Sequence, residues 1–276
     1  MSEFEIQAHR GARAFYPENT LQAFCKAAEL GVRVLELDLL LSKDAKIVVS
    51  HDPWVNASHF SGEPAARYAE DVESRSLLFQ MNYDLIAAVD CGYTDPAFPL
   101  QERITACKPL LSDVFSAVDA FMREHCPQEE MVYNLEVKSW PDQDDILHPL
   151  PALYAEILLH DLSPSVVSRI RLQSFDSRIL KAAHRMSPEL CYGLLVERAE
   201  DVESSLETLG FVPAFVNPHY SQVSVPLLSF LHLRNIRVIP WTVNRPEEML
   251  AMKRMGADGL ITDYPDLALS LSPLFS

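Results

Sequence analysis

Strand-like apolar runs alternate with helical stretches eight times along this chain of 276 residues. Strands separated by helices pair in parallel, with the helices packed over the sheet. The expected strands are 4–8, 34–40, 131–137, 170–175, 191–196, 214–217, 237–243 and 259–262, with a short excursion returning along Ile47 to Ser50 after the second. The helices are expected at 19–30, 112–124, 151–159, 177–186, 201–209, 225–233 and 246–255, with a last one after Asp263. Asn19 is read as the N-cap of the first helix, Gly31 as its stop, and Asp263 as the N-cap of the last. Eight strands and eight helices close into a (β/α)8 TIM barrel, an α/β fold read here as one domain over 1–276. Residues 53–108 break the rhythm and hold Trp54, Tyr68, Phe79, Tyr83, Tyr93 and Phe98. Their aromatic content argues against disorder, so they are read as an insertion after the second strand that forms a substrate rim or lid.

With 23 Lys and Arg against 39 Asp and Glu, the net charge is −16, which works against nucleic acid and anionic membranes as partners. Any anionic substrate must meet a local positive site. Five cysteines without CxxC spacing indicate neither a zinc site nor a disulfide framework, and they suit a reducing compartment. No run of eighteen apolar residues appears, so stable membrane insertion is not expected. The first strand leaves no room for a signal peptide, so the expected location is cytoplasmic, or periplasmic or secreted if a leader has been removed. The apolar content of the insertion is compatible with a homodimer.

The reactive residues fall at the expected strand ends, where the loops of such a barrel build its active site. In Leu35-Glu36-Leu37-Asp38-Leu39, alternation turns the leucines toward the helices and both carboxylates toward the barrel mouth. Two such carboxylates repel unless a cation sits between them, and oxygen ligands suit Mg²⁺ or Ca²⁺. Asn134-Leu135-Glu136-Val137-Lys138 repeats the pattern, with Glu136 a third metal oxygen and Lys138 near a phosphate oxygen. His9 and His51, just beyond strand ends, are candidates for general acid and general base. Arg10 can grip a phosphate bidentately. Gln173, Asn217 and Trp241 are expected at the rim, where the indole can pack on the carbon skeleton of a small polyol.

The segments His9-Arg10-Gly11, Pro17-Glu18-Asn19-Thr20, Glu36-Leu37-Asp38, His51-Asp52, Glu136-Val137-Lys138, Trp241-Thr242-Val243-Asn244 and Gly256 to Asp263 together resemble the glycerophosphodiester phosphodiesterase family. The resemblance implies the barrel fold with its insertion, one divalent cation held by Glu36, Asp38 and Glu136, and catalysis by His9 and His51. It assigns Arg10 and Lys138 to the phosphate; Glu18 and Asn19, in the turn with Arg10, and Gln173 and Trp241, at their strand ends, are the further candidates for substrate contact. The implied reaction is metal-dependent hydrolysis of a small glycerophosphodiester to sn-glycerol 3-phosphate and an alcohol. After His51-Asp52 many members carry a threonine- and glycine-rich stretch, whereas this chain reads Pro53-Trp54-Val55-Asn56-Ala57-Ser58-His59, which bears on the choice of alcohol. The rival readings are phospholipase D-like cleavage of a lysophospholipid on the same barrel, and a catalytically silent barrel that binds a phosphorylated ligand.

Overall fold

The computed structural model describes residues 4–55 and 76–274; Tyr68 and the stretch 56–59 lie outside the described residues. The strands are β1 (Glu5–His9), β2 (Val34–Leu41), β3 (Ile47–Val49), β4 (Val132–Val137), β5 (Ile170–Ser174), β6 (Cys191–Val196), β7 (Phe215–Pro218), β8 (Arg237–Val238) and β9 (Gly259–Thr262). They pair in the order β8-β7-β6-β5-β4-β2-β1-β9, and β3 folds back antiparallel on β2. Every pairing along that path is parallel. The circuit closes between β8 and β9, where Asp258 N donates to Val238 O, Ile261 N to Pro240 O and Val243 N to Ile261 O. The sheet is the expected eight-stranded parallel barrel.

The expected strand 237–243 is a regular ladder only at Arg237–Val238. Pro240 has no N–H to donate, so beyond Val238 the ladder gives way to the isolated bonds at Trp241 and Val243. The helix expected from Asn19 runs over Leu21–Leu30, capped by Thr20, whose side chain accepts from Ala23 N. Asn19 instead takes a left-handed backbone with φ 57°. Gly31 ends the helix at φ 104°, as expected of a C-terminal stop. The last helix, Pro265–Leu271, takes Tyr264 rather than Asp263 at its N-cap.

Leu35, Leu37 and Leu39 are fully buried on the outer face of β2, packed in the layer shared with Phe24, Val114 and Val118 of the covering helices. Each such side chain contributes about 1.5–3 kcal/mol by leaving water. A smaller cluster of Leu40, Val48, Val55, Leu78, Met81, Ile86 and Val89 anchors the described part of the insertion, including its short helix Tyr83–Ala87. Among the described residues, no helix is long and apolar enough to cross a membrane.

The inside of the barrel carries polar layers from bottom to top, alongside apolar side chains such as Phe215 and Leu195. At the bottom, Arg171 Nη1 lies 2.5 Å from Glu5 Oε1 and Arg237 Nη2 lies 3.2 Å from Glu5 Oε2. Burial raises the Glu5 carboxyl, but the two guanidiniums outweigh it and leave the group below its ordinary range. One layer up, Asn134 Nδ2 donates to Gln7 Oε1 at 2.8 Å and to Gln173 Oε1 at 3.0 Å. Barrels of this kind are more often filled by branched aliphatic side chains. Here much of the interior is taken by polar groups bonded to one another, and they lie beneath the acidic residues.

Candidate active site

The alternation of β2 and the parallel register of β4 build an acidic cluster. Asp38 stands opposite Glu136 and Glu36 opposite Asn134. Ligand oxygens of Glu36, Asp38 and Glu136 all lie within 4.8 Å of one another, and all three residues are buried. Lys138 Nζ lies 2.6 Å from Glu136 Oε1 and 2.9 Å from Asp38 Oδ1. Arg10 Nε lies 3.2 Å from Asp38 Oδ2, and Asn19 Nδ2 donates to the same oxygen at 2.8 Å. These cations outweigh burial at Asp38 and hold its carboxyl well below the usual range. Glu36 goes the other way: burial, then the charges of Asp38 and Glu136, push its carboxyl well up despite Arg10 and Lys138. Three converging carboxylates with negative charge left over fit a hard divalent cation bound through oxygen.

The loop between β1 and the first helix aims Arg10 at this cluster. Gly11 has φ 86°, and a Cβ there would stand 2.7 Å from the backbone of Ala23, so only glycine fits. Arg10 is itself left-handed at φ 55°. Its main-chain N–H points at Glu36 Oε2 at 3.2 Å, and its Nη1 reaches Glu18 Oε2 at 2.8 Å. Glu18 also pairs with Arg13 at 2.9 Å.

His9 closes the site on the β1 side. Its Nδ1 lies 2.7 Å from Asp263 Oδ1, and Asp263 is fixed by Asn244, which donates to its carboxylate at 2.7 Å and accepts from its N–H at 3.0 Å. Burial raises the Asp263 carboxyl, but His9 above all, then Arg13 and Asn244, bring it down to about 2. Asp263 therefore orients His9 rather than capping a helix. With Nδ1 held by a carboxylate, Nε2 is the nitrogen left to exchange a proton. His51 has the same arrangement with its neighbour, Nδ1 lying 2.9 Å from Asp52 Oδ1.

A pocket of about 210 Å³ brings together His9, Arg10, Glu36, His51, Glu136, Lys138, Gln173 and Trp241, with Phe175, Leu195 and Glu197 on its wall. A second, larger cavity of about 450 Å³ shares His51 and is lined by Glu18, Asn19, Asp52, Trp54, Tyr93, Asp95 and Lys108. Half of its lining residues come from the described part of the insertion. Gln173 lies deeper than the rim: it is 1 % exposed and donates to Glu36 Oε1 at 3.2 Å. Asn217 is fully buried, its amide 2.5 Å from Gln173 Oε1, so it is not a rim residue. Trp241 stays at the pocket wall, its Nε1 donating to Asn217 O at 2.8 Å and its ring perpendicular to Phe175 at 5.4 Å. Sequence reasoning passed over Asn134, Phe175, Glu197 and Asn244. The first and last have a visible signal, a polar residue inside or just after an apolar strand.

The family model for the glycerophosphoryl diester phosphodiesterase family matches residues 9–267. A glycerophosphodiester phosphodiesterase of Caldanaerobacter subterraneus is 28% identical over 266 residues, spanning 96% of both chains. The crystal structure of a putative glycerophosphoryl diester phosphodiesterase from Silicibacter pomeroyi superposes with TM-score 0.82 and 26% identity, over 99% of this chain and 94% of that one. An Oleispira antarctica phosphodiesterase, solved in complex with the product sn-glycerol-3-phosphate, shares the fold at TM-score 0.73 and 22% identity, over 96% and 95% of the two chains. With a polar barrel carrying two carboxylate-held histidines over three clustered acids, and a family match over nearly its whole length, the chain belongs to the glycerophosphoryl diester phosphodiesterase family and is an enzyme of that family.

Proposed function

We propose that this enzyme hydrolyses small glycerophosphodiesters to sn-glycerol 3-phosphate and an alcohol, using His9 and His51 as its acid and base. The observation that carries this reading is one 210 Å³ pocket lined by both histidines, Arg10, Lys138 and two acids of the cluster, Glu36 and Glu136, with Asp38 buried behind them. Glu36, Asp38 and Glu136 would hold one Mg²⁺ or Ca²⁺, which supplies Lewis-acid stabilisation of charge on the phosphoryl oxygens. Arg10 binds a phosphate oxygen through its planar guanidinium, and Lys138 contributes a second positive donor. One histidine accepts the proton of the attacking hydroxyl, from water or the neighbouring glycerol oxygen. The other donates its proton to the departing alkoxide, so no free alkoxide forms. Asp263 keeps the His9 ring in the orientation and tautomer this exchange needs. Trp241 offers a flat face to the glycerol carbons. Within a single barrel domain, the described part of the insertion, with Trp54, Tyr93, Asp95 and Lys108, lines the larger cavity and serves as the substrate rim. The five free cysteines support a reducing, cytoplasmic setting.

The test is release of glycerol 3-phosphate from glycerophosphocholine and glycerophosphoethanolamine by EDTA-treated protein, with and without added Mg²⁺ or Ca²⁺. Metal-dependent release is expected. His9→Ala and His51→Ala should each lose at least about 10²-fold in kcat while melting as the parent does. Release that ignores metal, or near-normal turnover by either variant, overturns the assignment.

A further inference from the structure

Glu197 follows directly on β6 and lines the 210 Å³ pocket together with Leu195, Phe175 and Trp241. Nothing in the acid, base and cation chemistry uses it. Among the described residues its carboxylate has no hydrogen-bond or ion-pair partner, while the adjacent Arg198 pairs with Glu200 and Asp201 instead. It is thus an exposed, unpaired acceptor in a pocket lining that it shares with Leu195, Phe175 and Trp241.

We infer that Glu197 is a specificity-determining residue that recognises the free hydroxyls of the glycerol half of the diester; this rests on the glycerophosphodiester reading above. A carboxylate accepts hydrogen bonds from two neighbouring hydroxyls, and a charged acceptor makes the stronger kind of bond. The rings of Trp241 and Phe175 meanwhile cover the carbon skeleton. The division of space agrees. The pocket of about 210 Å³ already contains the reacting groups and leaves room for a small unit, whereas the polar cavity of about 450 Å³ beyond His51 has room for alcohols of different size. The constant glycerol half belongs in the tighter space and the variable alcohol in the larger one. An acyl group on the glycerol replaces a donor hydroxyl by an ester that has none and brings an apolar chain against a bare carboxylate. That contact is unfavourable, so the same residue discriminates against lysophospholipids.

Glu197→Ala and Glu197→Gln are compared with the parent on glycerophosphocholine, glycerophosphoethanolamine and 1-acyl lysophosphatidylcholine. For Glu197→Ala, KM should rise about tenfold for both glycerol diesters, whatever the alcohol, with kcat kept within about twofold. Glu197→Gln keeps one acceptor oxygen and should fall between. Turnover of lysophosphatidylcholine relative to glycerophosphocholine should rise in Glu197→Ala. An unchanged KM overturns the inference, as does a rise confined to the choline diester, which assigns Glu197 to the alcohol. A parent enzyme that releases no glycerol 3-phosphate overturns the underlying reading as well, whereas an active parent with unchanged variants overturns only this one.

Discussion

His9 Nδ1 and Asp263 Oδ1 lie 2.7 Å apart although 254 residues separate them. β1 and β9 are paired in register, Ala8 opposite Thr262, so closing the barrel places each strand's next residue beside the other. The pair forms only in the closed fold. Asp263→Asn keeps the size of the side chain but can support the wrong imidazole tautomer. kcat should fall by roughly 10³–10⁴-fold, the scale seen when a catalytic histidine loses its carboxylate. An unchanged kcat in steady-state assays would remove Asp263 from the mechanism.

The same carboxylate makes stability depend on pH. Asp263 titrates at about 2 in the folded protein and near an ordinary aspartate value of about 3.9 when unfolded. Its contribution, on the order of 2 kcal/mol, is fully present above about pH 4 and is lost as pH falls from about 4 to about 2. Urea unfolding of the parent and Asp263→Asn should show a stability gap near pH 6 that closes across that window. A gap that stays constant down to about pH 2 contradicts the depressed carboxyl.

A bound cation stabilises the fold by mass action. At a concentration 100 times its Kd, Mg²⁺ or Ca²⁺ should add about 2.7 kcal/mol and raise Tm by roughly 5–10 °C. Glu36→Gln and Glu136→Gln should each shrink that rise, because each removes one of the three converging carboxylates. Thermal melts with and without the ion decide it, and a rise as large in either variant places the cation elsewhere.

The acidic cluster was legible because β2 and β4 carry it in plain alternation, Glu36 and Asp38 between leucines and Glu136 two residues before Lys138. The period of two settles which face a side chain takes, and the strand end settles its height. Depth inside the barrel has no such local signal. Gln173 and Asn217 belong to a hydrogen-bonded layer assembled from four strands, and nothing near either residue in sequence distinguishes that layer from the rim. Asp263 was misread for a similar reason, since an aspartate before a proline-led helix is a natural cap, and its partner lies at the other end of the chain. Asn19 also looked like a cap, but the neighbouring Thr20 took that role and left Asn19 to Asp38.

Gln173 gives this difference in depth a measurable consequence. Its amide donates to Glu36 Oε1 and accepts from Asn134, so it orients a carboxylate of the proposed cation site from behind. Gln173→Leu should weaken divalent cation affinity by about 10–100-fold, the usual cost of removing a supporting partner of a metal ligand. At saturating metal, KM for the diester should change little. Calorimetric titration with the ion alone reads the first effect and steady-state kinetics the second. A raised KM with unchanged metal affinity would return Gln173 to direct substrate contact.

Gly193 tests the barrel interior far from the chemistry. It stands opposite Phe215 in the parallel register of β6 and β7, and a Cβ on it would sit 1.9 Å from the Phe215 ring. The ring is buried, and Arg171, itself fixed by Glu5, stands over it with the guanidinium 5.7 Å from the ring centre. Gly193→Ala should therefore destabilise the fold by roughly 1–3 kcal/mol through overpacking. Phe215→Leu, costly alone, makes room for the new methyl group. The double variant should then be more stable than the sum of the two single losses by more than about 0.5 kcal/mol, beyond ordinary additivity. Urea midpoints of the four proteins measure this coupling. Strict additivity would mean that the strands shift to absorb the methyl group, and that the glycine is not there to seat the ring.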